Sequence, residues 1–190
     1  MSESERIPAT ASQTVGPYFR IGLTPLVTTE IAGTDVPGER IVIQGRVIDG
    51  DGAPVDDALL EIWQADAAGK YPTPGAAPAR RFHGFGRVPT DNNGAFRFST
   101  IKPGAVPGPG GRRQAPHLVV AVFMRGLLKH LLTRVYFPDE PANADDPILA
   151  CVPAARRATL VARRPSGSSS ALEWNVCLQG ADETVFFDID

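Results

Sequence analysis

The sequence FRFSTIKPGAVPGPGGRRQAPHLVVAVFMRGLLKHLLTRVYF, residues 96 to 137, decides the fold of this chain. A loop dense in proline and glycine leads into two apolar strand patterns, His117–Phe123 and His130–Phe137. Side chains two residues apart on a strand point to the same face. A His-x-His pair would therefore hold two imidazoles ready for a metal, but the residue two positions after His117 is Val119. The stretch indicates the scaffold of a metal site without its metal chemistry.

Short apolar runs separated by turn signals recur along the whole chain. The sequence contains 18 prolines and 19 glycines, and no stretch carries a long helical period. Asp49-Gly50-Asp51-Gly52 is a hairpin-type turn signal, so Ala58–Trp63 is predicted to be a return strand. These features predict an all-β fold, an antiparallel β-sandwich with long loops. The other strand patterns are Arg40–Asp49, Ala95–Ser99, Thr159–Arg163, Leu172–Leu178 and Thr184–Ile189.

The N-terminal residues 1–34 show little periodicity, and prolines and glycines interrupt them throughout. We predict that this segment is an irregular arm and that residues 35–190 form the β-sandwich domain. The arm nevertheless contains an apolar cluster, which must be buried somewhere. It either packs on its own domain or crosses a partner chain, and the sequence leaves both possibilities open. The cluster comprises Val15, Tyr18, Phe19, Ile21 and Leu23.

Composition narrows the classes of function. The chain has 190 residues and a formal net charge of −2. Its net charge therefore gives no strong electrostatic attraction to nucleic acid or to an anionic membrane. The N-terminus lacks the apolar segment of a signal peptide, and no apolar run reaches the length of a membrane span. Cys151 and Cys177 form no C-x-x-C motif and are predicted to be packed, reduced thiols. A soluble cytoplasmic protein is expected.

Several strings of the sequence resemble the intradiol ring-cleaving dioxygenases, and together they span nearly the whole chain. This resemblance implies an antiparallel β-sandwich of that family's type. It also implies a reaction in which O2 opens a catechol ring between its two hydroxyls. The iron-bearing chains of the family hold non-haem Fe(III) with two tyrosines and two histidines. The strings are SQTVGPYF (12–19), LEIWQADAAGKY (60–71), TIKPG (100–104), APHL (115–118), TRVYFPDE (133–140) and ETVFFDID (183–190).

Most of the iron ligands that the resemblance implies are missing from this chain. His117 stands at one ligand position, but Val119 stands at the second histidine and Val106 at a tyrosine. The loop between Tyr71 and Gly94, which should supply the other tyrosine, contains none after Tyr71. The resemblance therefore implies a chain with no catalytic or metal-binding residues of its own. It would act in a heteromer, beside a beta chain of the same fold that holds the Fe(III).

Arg134 is the remaining candidate for a functional residue in this chain. On the strand LLTRVYF it shares a face with Leu132 and Tyr136. The residues alone allow two interpretations, a surface arginine with a solvated head or a receptor for a carboxylate. The resemblance implies the second, with Arg134 lining the substrate cavity at the interface with the beta chain. The residues implied to line the cavity with it are Thr14, Gly16, Pro17 and Tyr18.

The reaction implied by the resemblance is cleavage of 3,4-dihydroxybenzoate to 3-carboxy-cis,cis-muconate, a step of the β-ketoadipate pathway of aromatic catabolism. Higher-order assembly of alpha–beta units is implied as well, and the isolated chain is expected to be inactive. A second interpretation is a non-enzymatic β-sandwich binding or scaffold domain derived from this family. A third is a self-sufficient dioxygenase with an unusual site, which metal analysis of the isolated chain would test.

Overall fold

The strands of the folded chain follow most of the short apolar runs of the sequence. The computed structural model describes residues 10–73, 82–167 and 170–188. The strands in these ranges are β1 (Arg40–Ile48), β2 (Leu59–Trp63), β3 (Phe85–Pro89), β4 (Ala95–Ile101), β5 (Val106–Pro107), β6 (Arg113–Gln114), β7 (His117–Phe123), β8 (Leu131–Tyr136), β9 (Ala171–Glu173) and β10 (Val176–Cys177). The helices are α1 (Pro17–Leu23) and the 3-10 helices Thr24–Leu26, Pro109–Gly111, Pro141–Asp145, Leu149–Cys151 and Ala154–Leu160.

The strands form two sheets and a small hairpin. In the first sheet β1 pairs with β4, β9 and β10, and in the second the order is β3–β2–β7–β8. The second sheet is antiparallel throughout, and β1 and β4 are antiparallel as well. The hairpin of β5 and β6 lies inside the proline- and glycine-rich loop. The predicted antiparallel β-sandwich is confirmed, with the addition that β9 and β10 run parallel to β1.

The core lies between the two sheets, and the alternation of side chains along each strand decides which residues enter it. Ile43 of β1 and Phe98 of β4 belong to the same buried cluster as the inward residues of β7. The outward face of β7 carries His117 and Val119, so this alternation puts both candidate ligand positions on the outer face of the second sheet. The inward residues of β7, each with 0% exposure, are Leu118, Val120 and Val122.

The predicted hairpin between β1 and β2 is wrong. β2 pairs with β3 and β7 in the second sheet, whereas β1 lies in the first. The turn after β1 is closed by a bridge between Ile48 and Pro54, and the carboxylate of Asp49 accepts a hydrogen bond from the backbone of Asp51. The chain then crosses from one sheet to the other. This crossing allows the apolar faces of β1 and β2 to cover each other across the core.

Two of the predicted strands in the C-terminal third are wrong, and β3 is a strand that the sequence patterns do not predict. Thr159–Arg163 begins inside the 3-10 helix Ala154–Leu160 and continues as isolated bridges. Thr184–Ile189, as far as the structure describes it, contributes a single bridge, from Phe187 to β8. Apolar side chains of both segments instead cover the outer face of β8, where they help to bury Tyr136 completely.

The predicted strand Leu172–Leu178 is divided into β9 and β10. Between them, Trp174 donates its backbone N–H to the carbonyl of Gln44 on β1. The carbonyl oxygen of Trp174 lies against Gly45, where a Cβ atom would come within 1.6 Å of it. Gly45 therefore permits an approach of two backbones that any side chain would block.

The N-terminal arm is less irregular than the sequence pattern indicates, because Pro17–Leu23 forms the helix α1. Proline is tolerated at the first position of a helix, where its missing N–H would have had no partner within the helix. Pro17 therefore begins the helix and does not break it. The prediction that proline and glycine exclude regular structure from the whole arm is wrong for these residues.

One face of α1 packs on the chain's own domain. The ring of Phe19 lies 5.5 Å from that of Phe123 at the end of β7, measured between centroids. The guanidinium of Arg20 donates hydrogen bonds to two backbone carbonyls of the domain. The arm thus packs on its own domain through this face, and a contact with a partner chain stays a prediction for the other face. The large apolar side chains exposed on α1 and the 3-10 helix that follows it are Tyr18, Ile21 and Leu26.

Two further expectations concern the thiols and the membrane. Cys151 and Cys177 are free thiols, but Cys151 is exposed at the end of a 3-10 helix, so the prediction of two packed thiols is wrong for it. In the part of the chain that the structure describes, no helix has both the length and the apolar character needed to cross a membrane.

Candidate functional site

Strand register brings the candidate residues of β7 and β8 into one group on the outer face of the second sheet. Arg134 lies opposite Val119, and Val119 lies opposite Trp63 on the neighbouring strand β2. His117 lies opposite Tyr136 one row further along. Residues that face each other across a sheet share a face, so the five side chains form one continuous surface. We call this surface the Arg134 site.

The guanidinium of Arg134 is held from one side. Its Nη1 donates to Oε1 of Gln114 at 2.7 Å and to the hydroxyl of Tyr136 at 3.4 Å. The group also lies over the ring of Phe187, 5.9 Å from the centroid. Among the described residues, no carboxylate forms an ion pair with Arg134, and its Nε and Nη2 have no hydrogen-bond acceptor. We call the Nε–Nη2 side of the guanidinium its free edge.

The imidazole of His117 is neutral at neutral pH. Burial lowers the pKa of His117 to about 4, and the positive charge of Arg134 adds to this effect. The hydrogen bond to the carbonyl of Ala115 and the charge of Asp146 oppose it. The Nδ1 atom donates to that carbonyl at 2.7 Å, and a carbonyl can only accept, so Nδ1 carries the proton.

The two tyrosines near Arg134 are also neutral. Burial raises the pKa of Tyr136 to about 12, although the charge of Arg134 works in the other direction. Burial likewise raises the pKa of Tyr71, and the charge of Arg134 lowers it. Both phenols are therefore protonated hydrogen-bond donors at neutral pH. Of the five side chains of the Arg134 site, only the guanidinium of Arg134 is charged at neutral pH, and no carboxylate among the described residues pairs with it directly.

Tyr71 lies close to the Arg134 site, although no sequence pattern connects the two. Its phenol is half exposed and lies within reach of the charge of Arg134. The loop that leads to Tyr71 is fixed to the loop before Val106, because Gly104 donates its N–H to the carbonyl of Asp66 at 2.8 Å. The sequence signal that could have identified it is its place at the end of the string LEIWQADAAGKY, which begins on β2.

The residues of this site do not fit ferric iron. Val119 and Val106 have no ligand atoms, and Val106 is buried opposite Gln114 in the small hairpin. His117 supplies one imidazole, and the guanidinium of Arg134 beside it would repel a cation. Among the described residues, no three His, Cys, Asp or Glu side chains lie together as a metal site would require. Residues 74–81, part of the loop after Tyr71, lie outside the described residues.

The four predicted arm residues lie away from Arg134 within this chain. The hydroxyl of Thr14 accepts a hydrogen bond from the N–H of Gly126, in the turn beyond the end of β7. Arg134 lies opposite Val119, four residues before the last residue of β7. At about 3.3 Å per residue, the two positions are separated by more than about 13 Å along the sheet. Gly16 precedes α1, and Pro17 and Tyr18 begin it.

The surroundings of Arg134 can be compared with the two interpretations of this residue, a surface arginine with a solvated head or a receptor for a carboxylate. The side chain is half buried and hydrogen-bonded, so it is not a surface arginine with a freely solvated head. It contacts Tyr136, which the strand period places on its own face, and also Gln114 and Phe187, which no sequence pattern connects with it. A cavity lined by both Arg134 and the arm residues would have to extend across the outer face of the second sheet.

Comparison with known proteins gives a consistent result. The profile of a family described as "Dioxygenase" matches residues 15–180. The chain is 47% identical to the protocatechuate 3,4-dioxygenase alpha chain of Burkholderia cepacia, over 95% of this chain and 97% of that one. It is 40% identical to the protocatechuate 3,4-dioxygenase beta chain of the same organism, over 77% and 67% of the two chains.

A solved structure supports the same assignment. The dioxygenase domain of a dioxygenase–carbohydrate-binding fusion protein from the cellulolytic bacterium Streptomyces sp. SirexAA-E superposes with a TM-score of 0.65. Its sequence is 26% identical, and the match covers 84% of this chain and 89% of that one. The family profile, the two relatives and this fold agree with one another. The chain therefore belongs to the intradiol ring-cleaving dioxygenase family.

Proposed function

We propose that this chain is the alpha subunit of a protocatechuate 3,4-dioxygenase, which acts together with an iron-bearing beta chain. The similarity to an alpha chain extends over nearly the whole length of both proteins. The observation that carries the proposal is the Arg134 site itself. It combines a guanidinium that has a free edge with a valine, Val119, at a position where the resemblance to the family implies an iron ligand.

Protocatechuate, 3,4-dihydroxybenzoate, offers two groups that different chains can bind. The Fe(III) of the beta chain would bind the two hydroxyls, between which O2 opens the ring to give 3-carboxy-cis,cis-muconate. The alpha chain would bind the carboxylate, because the parallel N–H groups of a guanidinium match the two oxygens of a carboxylate. With the two ends of the substrate bound by different chains, Arg134 would orient the substrate and would supply no catalytic group.

The arm is proposed to form the rest of the wall. Residues 1–34 would contact the beta chain, with Thr14, Gly16, Pro17 and Tyr18 next to its cavity. The exposed apolar face of the arm supports this part of the proposal, since such faces mark interaction surfaces. Arg134 would line the same cavity, at the interface between the alpha and beta chains. A cytoplasmic location and a higher-order assembly of alpha–beta units complete the proposal.

Co-expression with a beta chain tests the proposed function. The purified complex should contain iron, show a tyrosinate-to-iron charge-transfer band and cleave protocatechuate. The isolated alpha chain should show none of these properties. A charge-transfer band in the isolated chain would instead support a self-sufficient dioxygenase. A stable complex that does not cleave the ring would support a binding or scaffold domain.

A further inference from the structure

Asp146 is a buried carboxylate beneath the Arg134 site. Its side chain is completely shielded from solvent, and no other acidic residue in the described part of the chain is classed as buried. One oxygen, Oδ1, accepts hydrogen bonds from the backbone N–H groups of Ile148 at 2.9 Å and Leu149 at 2.7 Å. The other, Oδ2, accepts from the N–H of Ala115 at 2.7 Å. Asp146 thus joins the loop after β8 to the residues that precede β7.

A chain of hydrogen bonds connects Asp146 to Arg134. The hydroxyl of Tyr136 donates to Oδ1 of Asp146 at 3.2 Å and accepts from Nη1 of Arg134 at 3.4 Å. On the other side, Gln114 accepts from the same Nη1 and donates from its Nε2 to the carbonyl of Pro107 at 2.8 Å. Both contacts use Nη1, so the guanidinium is fixed at one corner and its free edge remains unpaired among the described residues.

We propose that Asp146 is a positioning residue that acts through Tyr136. Together with Gln114, it holds Arg134 so that the free edge is available to a carboxylate before the substrate arrives. An arginine that is already ordered loses less conformational freedom when it binds, and such preorganisation increases affinity. The inference rests on the proposed function, because it takes the carboxylate of protocatechuate as the occupant of the free edge.

A purely local role is the alternative. Asp146 also accepts hydrogen bonds from Ile148 and Leu149, where the 3-10 helix Leu149–Cys151 begins, and that role would stabilise the loop without affecting Arg134. The variant that separates the two roles is Tyr136→Phe. It removes a single hydroxyl and leaves the three backbone hydrogen bonds of Asp146 in place. Asp146→Asn is a second variant, in which the amide oxygen is a weaker acceptor for Tyr136 and the amide NH2 replaces Oδ2, the acceptor of the Ala115 N–H.

The matched control is Thr133→Val. Thr133 lies on the same strand as Tyr136, but its side chain is on the opposite face, and its buried hydroxyl donates to the carbonyl of Val185 at 2.8 Å. This variant also removes one buried hydrogen bond from β8 without touching Arg134. Any effect of general destabilisation should therefore appear in it as well.

The experiment compares protocatechuate with catechol, which has no carboxylate, in the alpha–beta holoenzyme. For Tyr136→Phe we expect the ratio of kcat/KM values, protocatechuate to catechol, to fall about three- to tenfold, as for one lost hydrogen bond. The loss should lie mainly in KM. Asp146→Asn should shift the ratio less and in the same direction, and Thr133→Val should not shift it. In an Arg134→Ala background, Tyr136→Phe should have no further effect.

A crystal structure of the Tyr136→Phe holoenzyme provides a readout that does not depend on the substrate. The guanidinium of Arg134 should rotate away from its present orientation about its remaining contact with Gln114. If it stays in place, or if Tyr136→Phe changes the ratio equally in the Arg134→Ala background, the proposal is overturned. If the guanidinium moves while neither Tyr136→Phe nor Arg134→Ala changes the ratio, the positioning role stands and the carboxylate role of Arg134 in the proposed function fails.

Discussion

At the scale of single residues, Arg134 is the side chain best suited to bind an anionic group of the substrate. It has a free edge, a positive charge and no carboxylate partner among the described residues. Replacing it by alanine removes a charge-assisted hydrogen bond, which contributes about 1.5–3 kcal/mol. We therefore expect Arg134→Ala in the holoenzyme to lower kcat/KM for protocatechuate about ten- to hundredfold. The efficiency with catechol should change little.

Two comparisons make the test of Arg134 specific. Arg134→Lys should restore part of the lost efficiency, because an ammonium keeps the charge but lacks the planar pair of N–H groups. Iron content and the visible spectrum should be the same in all variants, since the metal is proposed to lie in the other chain. An equal loss for protocatechuate and catechol would show that Arg134 has a structural role only.

His117 makes the stability of the folded chain depend on pH, and this contribution should decrease as the pH falls. Its pKa is lowered by burial from 6.5 to about 4, so the unfolded state binds a proton between these values that the folded state does not. The contribution of His117 to stability is therefore fully present above about pH 6.5 and is lost as the pH falls towards 4. A shift of this size corresponds to about 3 kcal/mol.

Thermal unfolding of the holoenzyme at pH 7 and pH 5 measures this effect. The decrease in Tm between the two pH values should be smaller for His117→Asn than for the wild type, because asparagine does not titrate. His83→Asn is the matched control, since it makes the same change of side chain at an exposed position away from the Arg134 site. Identical pH dependence of wild type and His117→Asn would contradict the prediction.

At the scale of the secondary-structure elements, the missing side chain of Gly45 allows the backbone of Trp174 to pack against β1. A Cβ atom there would meet the backbone of Trp174, which cannot move without separating β1 from its two parallel neighbours. We expect Gly45→Ala to lower the free energy of unfolding by about 3 kcal/mol or more, as overpacking in a rigid core does. Chemical denaturation of the holoenzyme, or the loss of soluble protein, measures the effect.

Gly22→Ala is the matched control for this prediction. Gly22 lies in α1, and a Cβ atom added to it would meet nothing within 4 Å. Alanine is a better helix former than glycine by about 0.8–1.0 kcal/mol, so this change should be neutral or stabilising. If the two variants had similar stability, the close approach at Gly45 would have no energetic importance.

At the scale of the whole molecule, large apolar side chains are exposed both on the arm and at the Arg134 site. The arm exposes 62% of Ile21 and 82% of Tyr18, and the Arg134 site exposes half of Trp63. Exposed apolar patches favour association. We expect the isolated chain to self-associate or to be poorly soluble, and the beta chain to convert it into a defined complex. Light scattering with and without the beta chain measures both states.

A charged variant on the arm tests whether this surface is responsible. Ile21→Asp should reduce self-association of the isolated chain and weaken its complex with the beta chain. Ala155→Asp, an exposed position on the 3-10 helix Ala154–Leu160, introduces the same charge elsewhere and should change neither property. A monodisperse wild-type monomer that stays soluble without the beta chain would count against an obligate heteromer.

The sequence by itself determined the features that depend on local patterns. β7 begins and ends where the apolar run predicts, and the period of two puts His117 and Val119 on one face. The sequence also shows that positions 119 and 106 carry no metal-binding side chain, because both residues are valines. Thr159–Arg163 and Thr184–Ile189 were mispredicted as strands, since an apolar run indicates that a segment is buried but not which backbone conformation it adopts.

Only the tertiary structure decided how distant parts of the chain meet. It separated β2 from β1, brought Tyr71 and Gln114 to Arg134, and placed Asp146 beneath Tyr136. It also located Thr14 at the far end of the sheet face. Each of these contacts joins residues on different elements, and its geometry follows from the packing of two sheets and their connecting loops. No local pattern carries that information, because the contact energy arises only when the whole core has formed.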